Sequence, residues 1–198
     1  MTLDEKIGQL VQQRGGGAVT GPDKTELSVE RLVREGRCGS VFNIKSFEET
    51  ERLQRIAVEE TRLGIPVDFT NEGIRGLNHD RATMFPAQCG QGATWDRDLI
   101  AEIARVTAEE ALALGYTNIY SPILDIAQDP RWGRAVETYG EDPYLVGELG
   151  KQMVQGLQKR GLVSSPKHFG VYSVPVGGRD GATRTDPHVA PREMHTLY

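Results

Sequence analysis

The sequence predicts an α/β fold built from parallel βα units. Short apolar runs of strand length recur at 39–44, 65–71, 116–126 and 162–167, and longer amphipathic stretches lie between them. The crossovers from one run to the next take about 25–50 residues, which suits strand–helix–strand connections rather than hairpins. At 198 residues the chain can bury one sizeable core. Four or so units cannot close an eight-stranded barrel of about 250 residues. Two architectures therefore stay open on pattern alone, an open doubly wound sheet and an incomplete barrel.

Each element has its own signal. Thr2 and Glu5 form a capping-box signature, with Leu3, Ile7, Leu10 and Val11 at helical spacing behind it. The glycines at 15–17 are expected to end that helix. Ser28 is placed to cap a second helix that closes before Gly36. Residues 39–44 read as the first buried strand. Ser46 then opens a helix through Arg62, with Leu53, Ile56 and Ala57 on one face. The second strand, 65–71, is entered through Gly64 and Pro66, and a loop with Pro86 and several glycines follows. Asp96 caps a helix carrying Leu99, Ile100, Ile103, Val106 and Ala111. The third strand is 116–126, and Pro143 sits in the first turn of the helix after it. A fourth strand, 162–167, leads into a loop rich in Gly, Pro and Asp. A last helical start at 191–198 runs to the end of the sequence at Tyr198, so the domain is expected to continue beyond it.

Composition narrows the function classes. Hydrophobic residues make up 38% and charged residues 26%, as in ordinary globular proteins. A net charge of −5 argues against nucleic acid, since a phosphate-binding surface needs a basic excess. No stretch approaches the roughly 20 apolar residues of a membrane helix. Cys38 and Cys89 lie far apart without metal-type spacing and read as free thiols. The chain opens directly into a helix, without a signal-peptide pattern, and the compartment stays open.

The chemistry concentrates just past three strand ends, where parallel α/β proteins hold their ligands. The segments are FTNEGIRG at 69–76, SPILDIAQDPRWGRAVETYGEDP at 121–143 and SSPKHFG at 164–170. In the second, Asp129-Pro130 forces a turn, because proline holds its predecessor extended. A guanidinium at Arg131, on that turn, can offer paired donors to vicinal hydroxyls or a carboxylate. It can equally serve structure by pairing with Asp129 or Glu137. Lys167 and His168 are adjacent on a strand, which sends side chains to opposite faces unless the strand end re-aims one. Glu72 could accept hydrogen bonds from two neighbouring hydroxyls, or act as an acid or base.

The order and spacing of DPRWGR, ETYGEDP and KHF resemble glycoside hydrolase family 3, the retaining β-glucosidases and β-xylosidases, over nearly the whole chain from Leu3 onward. The resemblance favours the barrel and implies that this chain, residues 1–198, is the amino-terminal part of a (β/α)8 TIM-like barrel, incomplete here. It implies that Glu72, Arg131, Lys167 and His168 bind the terminal sugar, the last two through a distortion at their strand end. Arg134, Glu137, Glu141 and Asp142 are expected to form a structural charge network, and Trp132 to pack under its loop. Glu72 stands where many β-glucosidases have Asp, which leans towards the xylosidase-like branch, and Arg75 replaces a common His. The loop at 177–181 is expected near the substrate, with Arg179 and Asp180 able to touch it.

No catalytic residue of the family falls within this sequence. The resemblance places the nucleophilic Asp on a VVSD-like strand downstream of Tyr198, and the acid/base usually comes from a second domain. The remainder of the catalytic domain is thus expected carboxy-terminal, and this chain alone is expected to be inactive. KHFGVYSVPVGGRD lacks the His of the KHFPGHGD-type loop, which sets the β-N-acetylglucosaminidase branch aside. The implied activity is hydrolysis of β-linked glycosides or oligosaccharides by a retaining, exo-acting β-glucosidase-type enzyme, without metal or organic cofactor. The alternatives are a β-xylosidase of the same family, a non-catalytic carbohydrate-binding remnant, or a Schiff-base lyase using Lys167. A half barrel is also expected to expose two strand edges and an apolar inner face, and so to associate.

Overall fold

The computed structural model describes residues 1–16, 28–173 and 187–198. Its strands are β1 (Gln12–Arg14), β2 (Ser40–Phe42), β3 (Asp68–Glu72), β4 (Asn118–Tyr120) and β5 (Val163–Ser164). They form one parallel sheet in chain order, β1-β2-β3-β4-β5. A doubly wound sheet reverses its strand order at a switch point. Here every new strand joins the same edge, as in a barrel. The described residues form the first part of a (β/α)8-type barrel.

Strand β1 is a correction to the sequence reading, which placed the first strand at 39–44. Gln12, Gln13 and Arg14 present no apolar residue to betray a strand. The first helix, α1 (Leu3–Gln9), ends at Leu10, ahead of the glycines expected to stop it.

The other helices are α2 (Val29–Arg34), α3 (Phe47–Arg55), α4 (Gln88–Gly92), α5 (Arg97–Ala113), α6 (Pro143–Gln158) and α7 (Pro191–Thr196). A π-helical turn, Ile56–Glu60, prolongs α3. The short α4 falls in the stretch read as loop. At the other end of the chain, α7 closes at Thr196, so the helical start expected over 191–198 stops two residues short of Tyr198. Thr2, Ser28, Ser46 and Asp96 cap their helices as expected, each accepting from a backbone N–H three residues on. Among the described residues, no helix is long and apolar enough to cross a membrane.

The two faces of the sheet differ. Val41, Phe69 and Ile119, each at most 1% exposed, pack against the helices with Leu53, Ile100, Ala108, Leu149 and Leu157. Alternate residues point the other way. On that inner face Gln12 Nε2 donates to Ser40 Oγ and Thr70 Oγ1, both at 3.1 Å, and to the Tyr120 hydroxyl. Asn118 Nδ2 donates to Asp68 Oδ2 at 3.0 Å, and Ser165 Oγ to Asn118 Oδ1 at 2.8 Å. The expected apolar inner face is therefore a hydrogen-bonded polar one. The alternation holds, but its inward set is Gln, Ser, Thr, Asp and Asn with two aromatic residues.

Candidate functional site

The carboxyl ends of β3, β4 and β5 bring the candidate side chains together. Glu72 is the last residue of β3 and the register partner of Tyr120 on β4. Its backbone is fixed on both sides: Asn71 Oδ1 accepts from Glu72 N at 2.8 Å, and Asn78 N donates to Glu72 O at 2.9 Å. Beyond β4 the chain passes the cis Ser121–Pro122 peptide and bridges at Ile123 to Lys167. Lys167 N donates to Pro122 O at 3.0 Å and Leu124 N to Lys167 O at 2.6 Å. The buried Gln88 of α4 holds Ile123 from the other side, accepting from its N–H at 3.0 Å and donating to its carbonyl at 3.2 Å. The Lys167–His168 peptide is also cis.

Two charged groups stand on this frame. In the first, Lys167 Nζ lies 2.6 Å from Glu72 Oε2, and the ammonium sits 5.5 Å from the centre of the Tyr120 ring. In the second, the buried Asp125 carboxylate meets His168 Nδ1 at 2.7 Å, and His168 Nε2 faces Arg134 Nη1 at 3.2 Å. A guanidinium only donates, so Nε2 must accept and Nδ1 must carry the hydrogen given to Asp125. Arg134 also clamps Glu137 at 2.6 Å, with both side chains under one-fifth exposed. Tyr172 packs against the group, its ring centre 4.4 Å from that of His168 and 5.7 Å from that of Trp132. Trp132 is buried beneath the loop, as its sequence context suggested.

Glu72, Lys167 and His168 are thus brought together, and Arg131 is not. Arg131 folds back on Asp129, two residues away, with contacts of 2.6–3.2 Å, and its side chain is 78% exposed. That guanidinium holds the Asp129 carboxyl well below the usual range, at about 2. Arg134, read as purely structural, is the guanidinium that reaches the site. Of the expected four-membered charge network, the Arg134–Glu137 pair forms and the other two carboxylates go elsewhere. Asp142 caps α6 through Leu145 N, and Glu141 contributes its backbone carbonyl to Gln128.

Sequence reasoning missed Asp125, although a carboxylate inside the apolar run PILDI demands a buried partner. Arg179 and Asp180 lie outside the described residues. Tyr198, downstream of which the nucleophile is expected, is an exposed residue just past α7 and enters none of the contacts around Glu72 and His168 given above. A cleft of about 640 Å³ opens beside Glu72, between the loop carrying Ile74, Arg75 and Met84 and the turn carrying Val136 and Glu137. Among the described residues no group of His, Cys, Asp and Glu is placed to hold a metal ion.

Known proteins resemble this chain in sequence and in fold. The profile described as the glycosyl hydrolase family 3 N-terminal domain matches residues 2–195. The periplasmic β-glucosidase of Salmonella typhimurium is 32% identical over 186 residues, covering 91% of this chain and 23% of that protein. A β-xylosidase of Formosa agariphila is 38% identical over 136 residues, covering 62% of this chain and 19% of its own length. The structure of a β-glucosidase from Listeria innocua in complex with isofagomine superposes with a TM-score of 0.77 at 37% identity. It covers 87% of this chain and 25% of that one. The chain spans roughly a fifth to a quarter of the length of the curated relatives it matches.

Proposed function

The chain belongs to glycosyl hydrolase family 3 through its N-terminal domain, and from that premise we propose that it holds the terminal non-reducing sugar of a β-linked glycoside. The enzyme would be a retaining, exo-acting β-glucosidase type. One observation carries this reading: the Glu72–Lys167 pair and the Asp125–His168–Arg134 group converge past three adjacent strand ends. A pyranose presents vicinal hydroxyls, each both donor and acceptor. Glu72 accepts from two of them and Lys167 donates, while Arg134, most of whose N–H groups go to Glu137, His168 and Tyr172, adds positive charge beside them. The His168 ring, with Nδ1–H given to Asp125 and Nε2 accepting from Arg134, lines the site and orients that guanidinium.

The carboxylates at this site argue that the chain supplies binding rather than the nucleophile. Glu72 is paired with Lys167, Asp125 with His168 and Glu137 with Arg134. A retaining mechanism needs two carboxyl groups about 5–5.5 Å apart, one of them open to attack the anomeric carbon. The nucleophile then comes from a later strand of a longer catalytic domain, downstream of Tyr198. Lys167 offers an ammonium to a carboxylate rather than a lone pair to a carbonyl, which disfavours the lyase reading.

Titrating methyl β-D-glucoside against the isotope-labelled chain tests this. Saturable shifts are expected at Glu72, Lys167 and His168, without release of nitrophenol from nitrophenyl β-glycosides. Turnover by this chain alone would place a nucleophile among its own carboxylates and overturn the reading. A β-xylosidase is the second reading, favoured by Glu72 in place of Asp and by the Formosa relative. Tighter binding of methyl β-D-xyloside would select it.

A further inference from the structure

We propose that Tyr120, backed by Phe42 and braced by Gln12, is a positioning residue that fixes the Lys167 ammonium at the sugar site. This rests on the sugar-holding function above. The Lys167 Nζ stands 5.5 Å from the Tyr120 ring centre, within the reach of a cation–π contact. Tyr120 is itself immobilised. Its ring stacks on Phe42 with centres 5.5 Å apart and planes 21° from parallel, and its hydroxyl accepts from Gln12 Nε2. Phe42 comes from β2, Tyr120 from β4 and Gln12 from β1, so three strands hold one aromatic floor beneath a side chain delivered past β5.

The floor matters because of what the sugar would do to Glu72. A lysine ammonium is a point charge on a flexible four-carbon stem, and one ion pair leaves it several rotamers. The Glu72 carboxylate is also the natural acceptor for sugar hydroxyls, so the sugar competes with Lys167 for its oxygens. The ring face makes no hydrogen bond that a sugar could take over. Tyr120 therefore keeps the ammonium in one place whether or not Glu72 is shared.

The test uses the whole chain carrying ¹³C-lysine. Lys167, identified by its loss in Lys167→Ala, should show its Cε protons shifted upfield of the other lysines by the Tyr120 ring current. Tyr120→Phe should keep that shift and Tyr120→Leu should abolish it. Glu72→Gln should leave it in place. A shift that survives Tyr120→Leu, or vanishes in Glu72→Gln, overturns the proposal. Should Tyr120→Leu fail to fold, Phe42→Leu takes its place and should reduce the shift; an unchanged shift there counts against the floor. In the same samples, methyl β-D-glucoside should bind about three- to tenfold more weakly to Tyr120→Leu, and within about twofold of the parent to Tyr120→Phe. Equal affinity in a folded Tyr120→Leu chain also sinks the positioning role. Absence of sugar binding in the parent would defeat the proposed function, whereas the lysine signal, read without sugar, judges the floor separately.

Discussion

A single oxygen of Asp125, Oδ2, accepts both hydrogens that His168 can offer it: the backbone N–H at 3.2 Å and ring Nδ1 at 2.7 Å. One buried carboxylate thus sets the position of the residue and the tautomer of its ring. Asp125→Asn keeps the shape but supplies a neutral, weaker acceptor, or turns a donor towards Nδ1. We expect the His168 ring-nitrogen spectrum to lose its Nδ1–H signature. Methyl β-D-glucoside should bind about tenfold more weakly, in keeping with about 1.5 kcal/mol for a hydrogen bond to a charged group. An unchanged tautomer in Asp125→Asn would show that Arg134 alone sets it.

The two arginines of the DPRWGR segment should separate cleanly. Arg134→Ala removes the donor facing His168 and leaves Glu137 without its cation, and should lower sugar affinity by at least about tenfold. Arg131→Ala should leave affinity within about twofold, since exposed ion pairs contribute little. The opposite ranking, measured by titration of both variants, would return Arg131 to the site.

Asp129 should titrate at about pH 2, because Arg131 stabilises its charged form. Its folded value lies below the ordinary carboxylate value of about 3.9. The pairing is therefore fully present above that ordinary value and is lost as the pH falls through 2. In Arg131→Ala, carboxyl ¹³C titration should find the midpoint moved up towards the ordinary value. A midpoint that stays near 2 would mean that the neighbouring backbone, not the guanidinium, lowers it.

The cysteines should differ in reactivity. Burial pushes the Cys38 thiol up to about 11, and its Sγ donates to Ser40 O at 3.2 Å, whereas Cys89 is exposed. At pH 8 only about one Cys38 in a thousand is thiolate, and that sulfur is out of reach. Ellman's reagent should therefore titrate one thiol quickly in the native chain and the second only on unfolding. Cys89→Ser should abolish the fast phase; a fast phase that persists would mean the segment leading into β2 opens readily.

The helices and strands that bury an apolar face were legible in the sequence, because Val41, Phe69 and Ile119 mark their strands and Ser28, Ser46 and Asp96 mark helix starts. Strand β1 was not, because its inward Gln12 is polar and apolar periodicity carries no trace of it. The site was half legible. Glu72, Lys167 and His168 announce themselves at strand ends. The choice between Arg131 and Arg134 depends on a short-range event, the capture of Arg131 by Asp129 two residues away, which residue type and spacing do not reveal. Asp125 and Gln88 were hidden for the opposite reason. Each is a polar residue inside the fold, and its use appears only once the partner backbone is placed beside it.

The polar inner face of the sheet has a consequence for how strands find their places. Packed apolar side chains tolerate small displacements, but the Gln12, Ser40, Thr70 and Tyr120 contacts are directional and tied to particular strands. Sliding one strand by a single residue would swap its inward and outward sets. It would also break the bond to the buried Thr70 hydroxyl and the partly exposed bonds to Ser40 and Tyr120. The floor beneath the sugar site thus works as an alignment gauge. Strands that seat in the correct register complete its hydrogen bonds, and that register also brings Phe42 behind the Tyr120 ring on which the Lys167 ammonium rests.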